Sequence, residues 1–578
     1  MKRGSSSQSI TRVKRFVWLL ACLVPTSLAL AQAPPNDGAT QEVLRQQERE
    51  RILRQQQETG PDVRLEPPAA PEQERLPENE SPCFRIDRIT LTGEAAKRFQ
   101  WALRAADPKN DPASGRCLGA AGINLTMKRI QNAIVARGYI TTRVLATPQD
   151  LTGGTLTLTI IPGRIRSIRF ADGTNPRATM WNAMPAAPGD ILNLRDIEQG
   201  LENFKRLPTA DADIQVTPAE GPDAQPGESD LVVAWKQKFP LRLNLSVDDS
   251  GSKRTGRYQG SITVSYDNWW TLNDLFYVSF NHDLGGGYSG DKGTDGYTVH
   301  YSVPYGYWLL GFTTSSYDYY QTVAGQNQSY IYSGKTDNSE IRLSRLFYRD
   351  AVRKATAYMR GWQRTSSNAI DDTEILVQRR RMAGWEAGFS YRQFINAGVL
   401  DANLAYRRGT GMLSSLRAPE EAFDEGTSRP EIITADVQLM MPFSLASQRL
   451  RYTGTLRGQW NRTPLVPLDR FSIGGRYTVR GFDGELTLMG DRGWLIRNDV
   501  GVALGNSGQE LYAGADYGQV GGQSTRYQLG RHLAGAVVGL RGGYKNLYWD
   551  AFVGTPLSKP KGFQTSNAAA GFLVSCSF

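Results

Sequence analysis

The feature that most constrains this chain is a two-residue alternation of apolar and polar side chains that begins at Leu241 and continues to the end. In "LRLNLSVDD", Leu241, Leu243, Leu245 and Val247 share one face, and Arg242, Asn244, Ser246 and Asp248 share the other. "SITVSYDNWW", "FYVSFNHD", "YTVHYSVPYGYW", "WEAGFSYRQF" and "ITADVQLMMPF" repeat the period. Successive side chains of a strand point to opposite faces, so such runs build sheets with one apolar and one polar face. A soluble β-sandwich alternates as well. The length of the alternation favours a membrane barrel, and so do Trp269-Trp270 and the cluster Tyr305–Trp308, placed at strand ends like interfacial girdles. The closing "GFLVSCSF" puts Phe572, Val574, Cys576 and Phe578 on one face, as in a barrel-closing strand with Phe578 as its C-terminal assembly signal.

Composition agrees. The mean hydropathy of −0.43 excludes a bundle of membrane helices. Yet the chain holds 59 Gly, 25 Tyr and 12 Trp, as expected where only every second residue meets lipid. At roughly 10 residues per strand, residues 239–578 accommodate about 16 antiparallel strands, enough to enclose an aqueous lumen.

The N-terminus points to export. Lys2, Arg3, Arg12, Lys14 and Arg15 precede an apolar run from Phe16 to Leu30, which ends in the A-x-A-like Ala29-Leu30-Ala31. That is a signal peptide, residues 1–31, too short and wrongly flanked for a spanning helix. Cys22 leaves with it. In an oxidising compartment Cys83 and Cys117 are placed to form a disulfide, and Cys576 is left as a small apolar side chain facing lipid. The formal charge of +10 is spread along the chain with no Lys/Arg block, so nucleic acid is not expected as a partner.

Between leader and barrel the chain changes character several times. Within residues 32–58, "QEVLRQQERERILRQQQE" (41–58) is rich in helix formers, with Glu50 and Arg54 spaced as an i, i+4 pair. Only Val43, Leu44, Ile52 and Leu53 are apolar, so this helix has no ordinary buried face and suits a wet cavity. Residues 59–82 form a Pro/Glu-rich linker that reads as extended and mobile. Two compact units follow, 83–162 and 163–238. The first has the strand "CFRIDRITLTG", the helix "NLTMKRIQNAIVARGYI" with Asn124 as its cap, and the strands "ITTRVL" and "TLTLTIIPG". The second repeats the plan with "RIRSIRF", "LRDIEQGLENFKRLP", "ADIQVTP" and "SDLVVAWKQ". Both are α+β units whose exposed sheet edges suit strand addition by an extended peptide.

The stretch "GGRYTVRGFDGELTLMGDRG" (474–493) sets Arg476 and Arg480 in a glycine-rich loop amid the alternation, and a charge near a bilayer needs a partner. "LYAGADYGQV" (511–520) offers one. Its alternation puts Leu511, Ala513, Ala515 and Tyr517 on one face and Tyr512, Gly514, Asp516 and Gly518 on the other. Gly514 and Gly518 leave room beside Asp516 for a long incoming side chain. On chemistry alone, a solvated surface loop and a loop folded into the pore stand equal.

With these motifs the chain resembles the outer-membrane transporters of two-partner secretion, the TpsB branch of the Omp85 superfamily. "VRGF" (Val479, Arg480, Gly481, Phe482) is similar to the superfamily's loop motif VRG[FY], "LYAGADYGQV" to its barrel-wall motif, and 83–162 and 163–238 to its two POTRA domains. The resemblance implies a membrane β-barrel of about 16 antiparallel strands behind an N-terminal plug helix and two POTRA domains, with the loop 474–493 entering the pore. It further implies a secreted TpsA-type exoprotein recognised by the POTRA domains, outer-membrane lipid around the barrel and a barrel-assembly machinery that inserts it. Cargo classes in the family include filamentous haemagglutinins, haemolysins and contact-dependent growth-inhibition toxins. An outer-membrane protein insertase of the same superfamily is the alternative; the two POTRA-like units and the polar helix favour secretion.

No enzyme is expected. His282, His300 and His532 form no recognisable nucleophile–base arrangement, and GxSxG and HExxH are absent. No metal or cofactor is expected either, since the cysteines have no CxxC spacing and no neighbouring His.

Overall fold

The computed structural model describes residues 37–65, 75–225 and 227–578. The signal-peptide reading and the middle of the linker fall outside them. Sixteen spanning strands, from Leu241–Asp248 to Ala569–Ser577, close into an antiparallel barrel in which the last strand pairs with the first. The two-residue Thr373–Glu374 adds to the end of Arg353–Ile370. Which face looks outward identifies the solvent. In Gln259–Asp267, Ile262 and Val264 are 49% and 37% exposed, whereas Thr263 and Ser265 are 1% and 2%. Apolar side chains outside and hydroxyls inside is the inverse of a soluble core and is the arrangement of a lipid-facing barrel. At the end nearest the small domains the connections are tight, as between Tyr305 and Trp308 or between Tyr544 and Leu547. At the far end most are longer, and the longest, between Asn461 and Arg492, carries the loop 474–493.

The two small domains each hold a three-stranded sheet with a helix against it. In the first, Thr155–Ile161 is central, parallel to Arg88–Thr92 and antiparallel to Arg143–Leu145. In the second, Glu228–Gln237 lies between Arg164–Phe170 and Ala210–Pro218. The buried Ile130 and Ile134 of helix Ala120–Ala136 meet Leu156 and Leu158, as their spacing predicts. Its cap differs from the sequence reading. The helix starts before Asn124, and Glu80 accepts the amides of Gly119, Ala121 and Gly122 instead. A carboxylate from the linker thus satisfies the free N–H groups and the helix dipole together, which sequence spacing does not reveal. Cys83 and Cys117 are joined as a disulfide.

The described ends of the linker are held, contrary to the reading of a mobile segment. Asp62 pairs with Lys354 and Arg392 on the barrel at 2.7 and 2.8 Å. The amides of Val63 and Leu65 donate to Glu202 and Glu198 of helix Leu194–Phe204. Leu76 is buried in the first domain.

Candidate functional site

The N-terminal helix, Asp37–Glu58, runs through the lumen. Its 22 residues at 1.5 Å each span about 33 Å, close to the thickness of a bilayer's hydrocarbon core. It begins before residue 41 and buries little apolar surface: Ala39 and Val43 enter a nest of Tyr317, Tyr319 and Tyr332, and Leu53 packs, partly buried, against the cluster that includes Leu275 and Tyr277. Charge does the rest. Glu42 accepts from Tyr317 Oη at 2.7 Å and Thr255 Oγ1 at 2.8 Å. Glu48 pairs with Arg457 at 2.8 Å, and Arg54 with Glu340 at 2.6 Å. The i, i+4 pair read from sequence is replaced: Arg54 turns to Glu58 and Glu340, and Glu50 accepts from Ser315. Helical spacing states which residues are neighbours on the helix, and here the wall supplies competing partners.

Beside the helix, the loop 474–493 folds inward from the far end. Helix and loop touch where Arg45 Nη2 donates to the Gly484 carbonyl at 2.8 Å. Together with the wall they line a cavity of about 790 Å³. Arg480 is 3% exposed and grips Asp516 with both arms, Nε to Oδ2 at 2.7 Å and Nη2 to Oδ1 at 2.8 Å, while its backbone amide donates to Oδ2 at 2.9 Å. Such a fork fixes orientation as well as contact, which a lysine does not.

The structure brings the loop motif and the wall motif together and adds residues the sequence reading missed. Asp499 is a second acceptor, with Oδ1 at 2.5 Å from Nη2 and Oδ2 at 3.3 Å from Nη1. Alternation in "WLIRNDVG", which sets Leu495, Arg497 and Asp499 on one face, is the signal that could have found it. The glycines do more than clear a path for one guanidinium. A Cβ on Gly514 would meet Asp499 and Arg480, and one on Gly518 would meet Val479 and Ile473. Gly535 and Gly554 were not singled out, yet a Cβ on Gly535 would lie 1.9 Å from the Arg480 carbonyl and one on Gly554 2.9 Å from Gly481 Cα. Gly481 itself has φ +92°, a conformation that favours glycine. Val479 and Phe482 are buried with Ile473, Leu488, Leu495, Leu533 and Phe563, so the loop has an apolar cushion of its own.

The weighed histidines are scattered, and His300 is bonded to Thr313 and Ser302. Phe578 exchanges backbone hydrogen bonds with Leu243 in the first strand.

A barrel with an inward loop, a lumenal helix and two small α+β domains narrows the comparison with known proteins. The family described as haemolysin secretion/activation protein ShlB/FhaC/HecB matches residues 227–542, and POTRA domains, the first of ShlB type, match 84–163 and 164–218. The chain belongs to this family. It is a TpsB transporter of the Omp85 superfamily, a two-partner secretion protein of the outer membrane with its POTRA domains in the periplasm. The outer membrane transporter CdiB-2 of Burkholderia pseudomallei is 37% identical over 97% of this chain and 98% of its own length. The outer membrane transporter CdiB of Dickeya dadantii is 30% identical over 86% and 87%. The solved structure of CdiB from Acinetobacter baumannii superposes with a TM-score of 0.82 at 31% identity, over 94% of this chain and 99% of that one. The relatives carry transporter names, and none of these likenesses favours an insertase.

Proposed function

We propose that this transporter exports an exoprotein of the contact-dependent growth-inhibition class, and that its lumen is regulated by two elements of different kinds. Helix Asp37–Glu58 is the resting plug, and the Arg480–Asp516 pair holds the loop where it shapes the translocation path. The CdiB names of relatives that span most of the chain favour this cargo over a haemolysin. The unfolded exoprotein meets the POTRA pair first, by strand addition at edges such as Arg88–Thr92 or Ala210–Pro218. The barrel-assembly machinery inserts the barrel into outer-membrane lipid, with Phe578, just past the closing strand, as the residue it reads.

The observation that carries the plug reading is a helix with little apolar burial lying lengthwise in the pore. Deleting residues 41–58 should therefore raise single-channel conductance in planar bilayers, with the barrel still folded by its heat-modifiable mobility. Unchanged conductance would count decisively against a plug.

A further inference from the structure

The loop 474–493 carries three arginines, of which Arg492 opens the next strand and Arg480 makes the wall pair. Arg476 points elsewhere. Its Nη1 donates to Asp249 Oδ1 at 2.6 Å and to the Phe572 carbonyl at 2.7 Å. Asp249 directly follows the first strand and Phe572 lies in the last, so this one guanidinium sits across the closing seam of the barrel. The same Asp249 oxygen accepts the Phe572 amide at 2.8 Å. The side chains of Arg476 and Asp249 are only 16% and 6% exposed, so the contact is not a solvated surface pair.

The seam needs such help. Its regular pairing runs only from Leu573↔Asp248 to Ser577↔Asn244, five positions, whereas ten join Gln448–Asn461 to Arg492–Ala503. Other loop residues reach both flanks. Asp483 accepts from the amide and hydroxyl of Ser566, each at 3.0 Å, just before the last strand. Glu485 accepts the Lys253 amide at 2.9 Å, just after the first. Residues 476–485 therefore straddle the junction.

We infer that Arg476 is a clasp through which the inward loop braces the first and last strands, so that loop position and seam closure are coupled. The inference rests on the proposed role of the loop in the lumen. With the loop in place, the short ladder is extended past Asp248 by side-chain bonds. With the loop withdrawn, Asp249 and the Phe572 carbonyl lose their shared donor, and that end of the ladder keeps only the direct hydrogen bonds between Asp249 and Phe572.

The chain supplies its own reporter. Cys576 lies opposite Leu245 across the seam. In the full-length protein in outer-membrane vesicles, Leu245→Cys should allow mild oxidation to join the two positions, read as altered mobility of the unreduced, denatured chain. Adding Arg476→Ala should slow this linking several-fold. A control pair, Leu404→Cys with Ala435→Cys in an interior ladder, should link at an unchanged rate in the same background. Arg476→Lys, which keeps the charge but not the reach to both acceptors, should fall between. Equal seam linking with and without Arg476→Ala overturns the clasp, and so does equal slowing of seam and control, which marks general loosening. If Arg480→Ala still abolishes secretion while Arg476→Ala leaves the seam untouched, the clasp falls and the proposed function stands.

Discussion

The lumenal helix and the inward loop occupy the same pore and are both charged, but they are held by opposite means. Each helix–wall ion pair has substitutes on both sides. Glu48 also pairs with Arg51, and its wall partner Arg457 with Asp436. Arg54 also pairs with Glu58, and its wall partner Glu340 with Arg360. If the helix leaves, these charges keep partners, so the desolvation cost of an orphaned ion does not arise. The loop has no such exit. Its withdrawal would uncover the cluster around Ile473, Val479 and Phe482 and take Arg480 from two buried carboxylates. The charges of the helix keep partners without the wall, whereas those of the loop do not, which fits the proposed roles of plug and fixed loop.

The largest effect should come from breaking the loop's side of this contrast. Arg480→Ala leaves Asp516 with Arg497 at 3.8 Å and Asp499 with Arg541 at 3.7 Å, both poor substitutes. Removing one partner from such a buried group costs about 3–5 kcal/mol. Secretion should be nearly abolished while insertion persists, since strand ladders and lipid-facing residues are untouched. Asp516→Ala should be milder because Asp499 still accepts from Nη1 and Nη2. The double variant should match Arg480→Ala, as the second change removes a partner already lost. The measurement is exoprotein in the medium per folded barrel; additive defects would show that the residues act separately.

Next in size are the glycines under each element. A Cβ on Gly535 would collide with backbone, the Arg480 carbonyl at 1.9 Å, so Gly535→Ala must lift the loop. A Cβ on Gly38, in the helix, would meet Arg254 Nη1 at 2.7 Å, the far end of a flexible side chain. Gly38→Ala, in the first turn of the helix, should be absorbed by a rotamer change with little effect on the helix. Secretion assays should find the first variant severely impaired and the second close to normal. Equal tolerance at both sites would erase the distinction between a seated loop and a loosely held helix.

The contrast was only partly legible in the sequence. Alternation exposed the strands because burial on one face leaves a period of two, and that signal survives any loop length. Arg480 and Asp516 stood out through two motifs of a known family. Asp499 was legible in principle, since alternation set it inward, but nothing local marks it as a second acceptor. Gly535 and Gly554 were not legible, because their role is a backbone contact with residues distant in the chain. The same limit explains Glu80, which caps a helix 40 residues on, and Arg54, which prefers a wall carboxylate and Glu58 to Glu50. Local spacing gives neighbours along an element, and only the fold decides which neighbour wins.

The smallest effect should come from single charges on the helix, and it tests the doubling directly. Arg54→Ala removes one helix–wall pair, but Glu340 keeps Arg360 at 2.9 Å, so no wall charge is orphaned. Because the freed wall charge keeps a second partner, the loss is that of one helix–wall contact and not that of an unpaired buried ion. In planar bilayers the open fraction should rise a few-fold at most, far short of the effect of deleting residues 41–58. Glu48→Ala should behave alike, because Arg457 keeps Asp436 at 3.2 Å. The two sites share no partner and lie about 9 Å apart along the helix axis, so their effects should add in the double variant. Raising salt should produce a similar small increase in the parent and less in the double variant, since the screened pairs are already gone. If Arg54→Ala alone opens the pore as fully as the deletion does, the helix hangs on a single keystone. Its network would then resemble the loop's Arg480 cluster, and the division between a plug made to leave and a loop made to stay would fail.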